Sequence, residues 1–286
     1  MVMFRRLQAY WLMIHPFPVM MVVTLATVLA VATARESTDP SRLIRAIAAL
    51  FFSQVVVGIS NDYHDRVLDA QGQPWKPLAR GVVTPGEARA LIVLAFGLML
   101  LLAVSLGPII ILLALLGTFA GILYNFWLRG TPFSWFPYVL GFITLPIYVW
   151  ASMARFDARQ LILAPIGVPL LVGVHLAQTL PDTETDLALG VRSLAVTLGR
   201  ARGVLVVWST LISAQVLALV SALMVNSNLE IVLTAVGLSF ALVAASIALY
   251  HRSPTSATLR AIFRLVAPSA VILVAGWLAA LQSSGR

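Results

Sequence analysis

Two acidic clusters hold six of the 11 acidic residues in this 286-residue sequence. The first occupies residues 61–69 and reads Asn-Asp-Tyr-His-Asp-Arg-Val-Leu-Asp, and the second occupies residues 182–186 and reads Asp-Thr-Glu-Thr-Asp. In both clusters, carboxylates recur at the i, i+4 spacing that places side chains on one face of a helix. Mg²⁺ prefers such oxygen ligands and usually binds through one or two carboxylates together with substrate phosphates. Two opposed faces of this kind therefore predict Mg²⁺ ions that bridge a diphosphate.

The candidate metal ligands and acidic groups are the oxygen-bearing side chains at this spacing, with Asp62 flanking the others: Asn61, Asp62, Asp65, Asp69, Asp182 and Asp186. Basic residues near the clusters could take the remaining phosphate charge, and arginine favours bidentate contact with phosphate. These residues are Arg66, Lys76, Arg80 and Arg192. Either cluster alone could also be an ordinary solvated segment at a membrane interface. Two clusters at helix ends on the same predicted side favour the functional interpretation.

The composition indicates the setting of these clusters. Hydrophobic residues make up 60% of the chain, charged residues make up 10%, and the mean hydropathy is +0.96, which is unlike a soluble domain. Apolar runs close to the roughly 20-residue spanning length occur nine times, at about 17–34, 43–60, 88–106, 108–128, 133–153, 161–180, 203–225, 230–250 and 265–282. Since backbone in lipid must satisfy its own hydrogen bonds, each run predicts a helix. We expect an all-α polytopic membrane protein, one domain over residues 1–286, with polar active-site loops at about 61–87 and 181–202.

Basic residues indicate the orientation. With the N-terminus on the cytoplasmic side, thirteen basic residues fall on that side, in agreement with the positive-inside rule. The six on the opposite side are Arg35, Arg42, Arg45, Arg155, Arg159 and Arg286. Both acidic clusters and both loops are then cytoplasmic. This topology explains the net charge of +8, so nucleic-acid binding is not predicted, and the lack of cysteine excludes disulfides and thiolate catalysis.

At these residues the sequence resembles the UbiA-type intramembrane prenyltransferase superfamily. Residues 61–69, followed by Lys-Pro-Leu-Ala-Arg-Gly at 76–81, are similar to the first signature of that family. Residues 182–199 are similar to its second signature, and residues 124–129, Tyr-Asn-Phe-Trp-Leu-Arg, are similar to its tyrosine-then-basic segment at the end of the fourth helix. The two signatures occur in order, about 120 residues apart, and the resemblance spans essentially the whole chain.

The resemblance implies a helical bundle around a central cavity that opens to lipid. It also implies an enzyme that uses Mg²⁺ to transfer the prenyl group of a polyprenyl diphosphate to a lipophilic, often aromatic, acceptor, as in quinone or related lipid biosynthesis in a bacterial or archaeal cell membrane. By motif position, one Mg²⁺ would be held by Asn61, Asp65 and Asp69 with Asp62 assisting, and the second by Asp182 and Asp186. The implied contacts of the diphosphate or its surroundings are Arg66, Lys76, Arg80, Tyr124, Arg129 and Arg192.

Several alternatives stay open on the sequence. A terpene cyclase on the same scaffold would share the metal site without an acceptor, and a transporter also combines many helices with intramembrane charge. No residue indicates the acceptor, the prenyl length or the oligomeric state. Three histidines have two interpretations each: His15 could contact substrate or lie at the membrane interface, His64 could raise phosphate affinity or face solvent, and His175 could line an acceptor site or form an interhelical hydrogen bond.

Overall fold

The computed structural model describes residues 2–34 and 38–283, and the regular secondary structure in these ranges is entirely helical, as predicted. The helices in chain order are α1 Val2–Met13, α2 Pro16–Thr33, α3 Pro40–Gly72, α4 Pro85–Val104, α5 Pro108–Leu123, α6 Trp135–Ser152, α7 Leu163–Thr179, α8 Thr183–Ala188, α9 Leu194–Met224, α10 Leu229–Arg252 and α11 Ser256–Ser283. Shorter helical turns cover Tyr124–Leu128, Ala158–Ile162 and Leu180–Asp182. Arg35 and Arg286, which we assign above to the side opposite the clusters, lie outside the described residues.

The predicted number of membrane spans is confirmed. Within residues 2–34 and 38–283, nine helical segments are long and apolar enough to cross a membrane. Proline is the first residue of four of these segments. The N–H at the first position of a helix has no partner within the helix, so proline, which lacks this group, loses no hydrogen bond there. The close pair of runs around residue 107 is divided because Gly107 has a φ of 118° and Pro108 begins α5.

The first acidic cluster lies in α3, and the second lies in the turn Leu180–Asp182 and in α8. α3 continues through residues 61–69 and ends at Gly72, so the polar connection covers only residues 73–84, less than predicted. The break comes where Gly72 and Pro74 follow the cluster, because neither residue favours continuation of a helix. In the second connection, α8 takes up residues 183–188, and α9 begins well before its apolar run with a kink at Gly199, where φ is 70°.

The described chain divides into two compact units. The first comprises Met1–Leu128 and Leu140–Phe156, and the second comprises Arg129–Val139 and Asp157–Arg286. Each acidic cluster belongs to a different unit. The two units are described separately, and a single domain over residues 1–286 stays a prediction.

In the first unit, α3 packs against α2, α4 and α5 around an apolar core. Two polar contacts lie within this core: the hydroxyls of Ser53 and Thr118 are 2.8 Å apart, and the Tyr148 hydroxyl donates to the Ala46 carbonyl over 2.7 Å. Such pairing is required because an unpaired polar group among apolar side chains is costly. It joins α3 to α5 and α6.

In the second unit, α7, α9, α10 and α11 pack around a core of their own. Two buried tryptophans donate hydrogen bonds between its helices: Trp208 Nε1 to Ser246 Oγ over 3.1 Å and Trp277 Nε1 to Ser221 Oγ over 2.9 Å. These bonds satisfy indole N–H groups that are otherwise surrounded by apolar atoms. They hold the scaffold from which the second acidic cluster projects.

Candidate active site

Asn61 and Asp65 form a pair one helical turn apart on α3. The Asn61 side-chain amide donates to Asp65 Oδ2 over 3.4 Å, and its nitrogen lies at the same distance from Asn125 Oδ1. Both bonds use the nitrogen of the amide, so its carbonyl oxygen takes no part in them. The predicted i, i+4 spacing thus brings together the first two candidate ligands of the cluster.

Asn125 reaches α3 from the helical turn that follows α5. Residues Tyr124–Leu128 form a π-helical turn, a feature that often marks functional sites. Asn125 is buried and also donates to the carbonyl of Val57 over 2.9 Å, and the ring of Phe126 lies 4.6 Å from that of His64. Tyr124 begins the turn and is half-buried. Our sequence reasoning did not select Asn125, although a polar side chain within an apolar run of membrane length is itself a signal of function.

Asp62 and Asp69 share one cation from the protein. The Lys76 ammonium lies 3.0 Å from Asp62 Oδ1 and 2.8 Å from Asp69 Oδ2, and both carboxylates are buried. Burial lowers the pKa of Lys76, but the hydrogen bonds to Asp69 and Asp62 outweigh this effect and raise the pKa above its usual value. The lysine therefore stays charged, and two of the predicted acidic groups have a partner before any substrate binds.

His15 contacts the same carboxylate from the junction of α1 and α2. Its Nε2 atom lies 2.9 Å from Asp62 Oδ1, and its backbone has the left-handed values φ 54° and ψ 66°. Gly58 allows this junction to lie close to α3, because a Cβ at residue 58 would be only 2.8 Å from the carbonyl oxygen of Ile14. Left-handed non-glycine residues are strained and concentrate at functional sites. The structure thus gives His15 a contact within the acidic cluster, which neither interpretation from the sequence included.

The connection 73–84 is fixed on the first unit by its own apolar side chains. Leu78 and Val83 are buried in the core beside α3 and α4, and Gly81 takes a left-handed φ of 68° to turn the chain between them. The backbone N–H of Arg80 donates to the carbonyl of Lys76 over 3.0 Å, so Arg80 lies one turn beyond the lysine. The loop is therefore a docked element that holds both basic residues near α3.

Arg66 lies along α3 itself. Its guanidinium donates to the carbonyl of Tyr63 over 2.6 Å and stacks 4.6 Å from the centre of the Tyr63 ring. A cation over an aromatic face is stabilised by the ring quadrupole. Arg66 is thus held on the helix that carries the first cluster, and its role toward diphosphate stays a prediction.

The second cluster brings Asp182 and Asp186 together in the other unit. Asp182 ends the turn Leu180–Asp182 and is exposed, and Asp186 lies one turn on in α8 and is half-buried. The two carboxylates repel each other, and the nearby charge of Arg129 partly offsets this repulsion. Two like charges held at this spacing are a favourable place for a cation.

Arg192 returns to this cluster because Gly190 reverses the chain after α8. Gly190 has a φ of 75°, and the next N–H, that of Val191, donates to the carbonyl of Asp186 over 2.9 Å. The N–H of Arg192 then donates to the carbonyl of Gly130 over 3.1 Å, beside Arg129. Two arginines predicted from the sequence therefore lie together near the second cluster, and the Arg192 side chain is exposed.

The remaining polar groups near this cluster are partnered elsewhere. Glu184 is mostly exposed and pairs with Arg200 over 3.1 Å. His175 is buried, with Nε2 3.0 Å from Ser134 Oγ and its ring 4.9 Å from that of Tyr138. His175 therefore has a hydrogen-bond partner in the turn that precedes α6, and a role in an acceptor site stays a prediction.

The candidate Mg²⁺ ligands are arranged as pairs of side chains, and the described ligands do not form a closed cage around a metal position. Among the residues that the structure describes, no group of three or more histidine and acidic side chains is arranged to hold a metal ion. Mg²⁺ does not need such a group, since it keeps several waters and completes its shell with substrate phosphates. The pairs Asn61–Asp65 and Asp182–Asp186 each offer oxygen ligands about one helical turn apart. The chemistry of these residues therefore fits the metal that the sequence predicts.

Comparison with known proteins adds an independent finding. Residues 20–268 match the model of the UbiA prenyltransferase family. A digeranylgeranylglyceryl phosphate synthase of Natronomonas pharaonis is 25% identical over 172 residues, which cover 59% of this chain and 61% of that protein. A 4-hydroxybenzoate octaprenyltransferase of Shewanella loihica is 32% identical over 149 residues, which cover 50% of this chain and 51% of that protein. The chain thus spans about half to three fifths of the length of these curated relatives.

Solved structures share the fold over nearly the whole chain. A structure of digeranylgeranylglyceryl phosphate synthase in membranes has a TM-score of 0.78 and 17% identity, covering 97% of this chain and 99% of that chain. A UbiA homologue from Archaeoglobus fulgidus bound to GPP and Mg²⁺ has a TM-score of 0.70 and 16% identity, covering 96% and 99%. At these identities the likeness establishes the fold alone.

Proposed function

The chain belongs to the UbiA prenyltransferase family, and we propose that it transfers a polyprenyl group from a prenyl diphosphate to a lipophilic acceptor in a Mg²⁺-dependent reaction that releases diphosphate. It is an integral membrane protein of the all-α class. The observation that carries the proposal is the family match over residues 20–268, because both acidic pairs lie within it. A relative named as an octaprenyltransferase supports the same reaction class.

The proposed metal-binding side chains come from both clusters. Asn61 and Asp65, with Asp69, would hold one Mg²⁺, and Asp182 with Asp186 would hold a second. The bound metal would supply positive charge that stabilises diphosphate as a leaving group. A GPP- and Mg²⁺-bound relative of the same fold supports this choice of metal.

Five basic side chains of the protein, together with Tyr124, would contact the rest of the diphosphate. The proposed contacts are Arg66, Lys76, Arg80, Tyr124, Arg129 and Arg192. Arg129 and Arg192 are the best supported of these, since the Gly130–Arg192 hydrogen bond holds both beside the Asp182–Asp186 pair. Arginine at such a position can bind two phosphate oxygens at once, which fixes orientation as well as charge.

The acceptor is the finer part of the proposal. We propose an aromatic acceptor in quinone or related lipid biosynthesis, because a 4-hydroxybenzoate octaprenyltransferase is among the relatives. A glyceryl phosphate ether is the alternative, since the other relative is a digeranylgeranylglyceryl phosphate synthase. We also propose that the protein lies in a bacterial or archaeal cell membrane with its N-terminus and both acidic clusters on the cytoplasmic side, as the basic residues predict.

A single assay tests the reaction. Purified protein is incubated with radiolabelled geranylgeranyl diphosphate, Mg²⁺ and a panel of acceptors that includes 4-hydroxybenzoate, dihydroxynaphthoate and a glyceryl phosphate ether. We expect a labelled prenylated acceptor and free diphosphate, loss of both with EDTA, and recovery with excess Mg²⁺. A cyclic hydrocarbon formed without acceptor would replace the proposal with terpene cyclisation. Absence of diphosphate release with every acceptor would overturn it.

A further inference from the structure

The connection 73–84 carries the single lysine of this chain. The other 18 of the 19 lysine and arginine residues are arginines, so each of them carries a guanidinium group. A guanidinium is a broad planar fork, whereas an ammonium is a compact point charge with three donors. A compact cation is better suited to a position between two carboxylates that lie two turns apart on one helix.

Lys76 occupies such a position. Its ammonium lies 3.0 Å from Asp62 Oδ1 and 2.8 Å from Asp69 Oδ2, and the exposed fractions of the three side chains are 14%, 2% and 6%. Carboxylates that are shielded from water to this extent require a cation close by. The protein therefore supplies from its own chain the charge that the first acidic cluster needs.

The two carboxylates differ in how they are held. Asp62 is also contacted by His15 Nε2 at 2.9 Å, from a junction that packs on α3 at Gly58. Asp69 is contacted by Lys76 at the outer end of α3, next to the connection. Asp62 thus serves as an anchor with two partners, whereas the Asp69–Lys76 bond is the one that a metal ion would have to replace.

We propose that Lys76 is an internal counter-cation of the first acidic cluster, anchored by Asp62, which competes with divalent metal for Asp69. This inference rests on the proposed function and deepens it. Metal alone would bind weakly, because it would take Asp69 from a shielded ammonium and leave Asp62 as its remaining carboxylate partner. A diphosphate supplies a second anionic partner, so metal and diphosphate would bind together rather than separately.

The first test measures Mn²⁺ binding without diphosphate, by the loss of the free Mn²⁺ signal in electron paramagnetic resonance. The variants are Lys76→Met and, as a charge-matched control, Arg89→Met, whose side chain is exposed on α4. We expect Lys76→Met to bind Mn²⁺ at least about fivefold more tightly than either the control or the wild type. A change in affinity of about fivefold is at the lower end of the coupling usually seen between two ligands. Equal affinity in the two variants, or weaker binding in Lys76→Met, would overturn the counter-cation role. If Lys76 only contacts diphosphate, the two variants are expected to bind Mn²⁺ with equal affinity.

The second test uses the wild-type protein, so it does not depend on the variant folding. Because the chain has one lysine, acetylation by a water-soluble amine reagent at that position can be followed by mass spectrometry of the Lys76 peptide. We expect Mg²⁺ alone to accelerate acetylation relative to choline chloride at the same ionic strength, since the metal displaces the ammonium from Asp69. An unchanged or slower rate at saturating Mg²⁺ contradicts the proposal.

A third measurement separates failure of this inference from failure of the proposed function. Mn²⁺ binding to the wild type is repeated with inorganic diphosphate present. We expect the diphosphate to tighten Mn²⁺ binding more in the wild type than in Lys76→Met. If Mn²⁺ binds neither alone nor with diphosphate, the proposed function fails. If diphosphate promotes Mn²⁺ binding equally in both proteins, only the role of Lys76 fails.

Discussion

Asn125 Oδ1 lies 3.4 Å from Asn61 Nδ2, so a side chain of the π-helical turn contacts the residue that begins the first acidic cluster. Asn125 is itself fixed by its hydrogen bond to the carbonyl of Val57 on the same helix as Asn61. The π-helical turn thus orients the amide whose carbonyl oxygen is a proposed metal ligand.

We therefore expect Asn125→Leu to raise the Mg²⁺ concentration needed for half-maximal activity by about 10–100-fold, the effect usual for partners that orient metal ligands. A Mg²⁺ titration of prenyl transfer, with thermal unfolding in parallel, measures this. Phe126→Leu is the control, because it alters the same turn without touching Asn61. A similar Mg²⁺ requirement in both variants would show that Asn125 only stabilises the turn.

The metal-ligand assignment predicts a sharp difference between neighbouring acidic residues. Asp65→Ala and Asp186→Ala should each reduce turnover below about 1% of wild type, because each removes a proposed oxygen ligand of the catalytic cation. Glu184→Gln, in the same short helix as Asp186 but paired with Arg200, should stay within about twofold, as expected for an exposed ion pair. Initial rates on folded, monodisperse protein decide the point. Substantial turnover in either aspartate variant would remove that residue from the proposed site.

The position of Arg192 predicts a selective loss of diphosphate binding. Arg192→Ala should raise the KM for prenyl diphosphate about tenfold or more and leave the KM for acceptor almost unchanged, since a hydrogen bond to a charged group contributes about 1.5–3 kcal/mol. The fold should persist, because the bond to Gly130 uses the backbone of Arg192. Arg202→Ala, an exposed arginine on α9, is the matched control. Equal effects on the two KM values would place the Arg192 side chain away from the diphosphate.

Helix packing in the second unit predicts opposite effects for two glycines. A Cβ at Gly276 on α11 would clash with the Cβ of Ala235 on α10, whereas a Cβ at Gly237 meets nothing within 4 Å. Gly276→Ala should therefore destabilise the protein by about 1–3 kcal/mol through overpacking. Gly237→Ala should stabilise it by about 0.5–1 kcal/mol through helix propensity. Thermal unfolding in one detergent measures both, and a Gly276→Ala protein as stable as wild type would contradict the close approach.

Much of the helical architecture could be read from the amino-acid order. Apolar runs of spanning length predict helices in lipid because the backbone has no other hydrogen-bonding partner there, and all nine predicted runs correspond to described helices. The i, i+4 spacing of Asn61 and Asp65 likewise predicts their contact, since neighbours on a helix face are fixed by its geometry. Helix ends were less predictable: the polar connection was expected over about 61–87 although the acidic residues have helical spacing, and α3 continues to Gly72.

Contacts between distant segments could not be predicted in this way. Lys76 was expected to contact diphosphate, and the fold brings it to Asp62 and Asp69, because buried Leu78 and Val83 fix the course of the connection. Asn125 was passed over, since its importance depends on a π-helical turn that packs against α3.

Helical spacing and hydropathy are local properties, so they are encoded in short stretches of sequence and can be recognised without a structure. The partner of a loop lysine or of a single buried amide depends on how several helices pack. Packing is the sum of many weak apolar contacts, and no short stretch of sequence carries that sum.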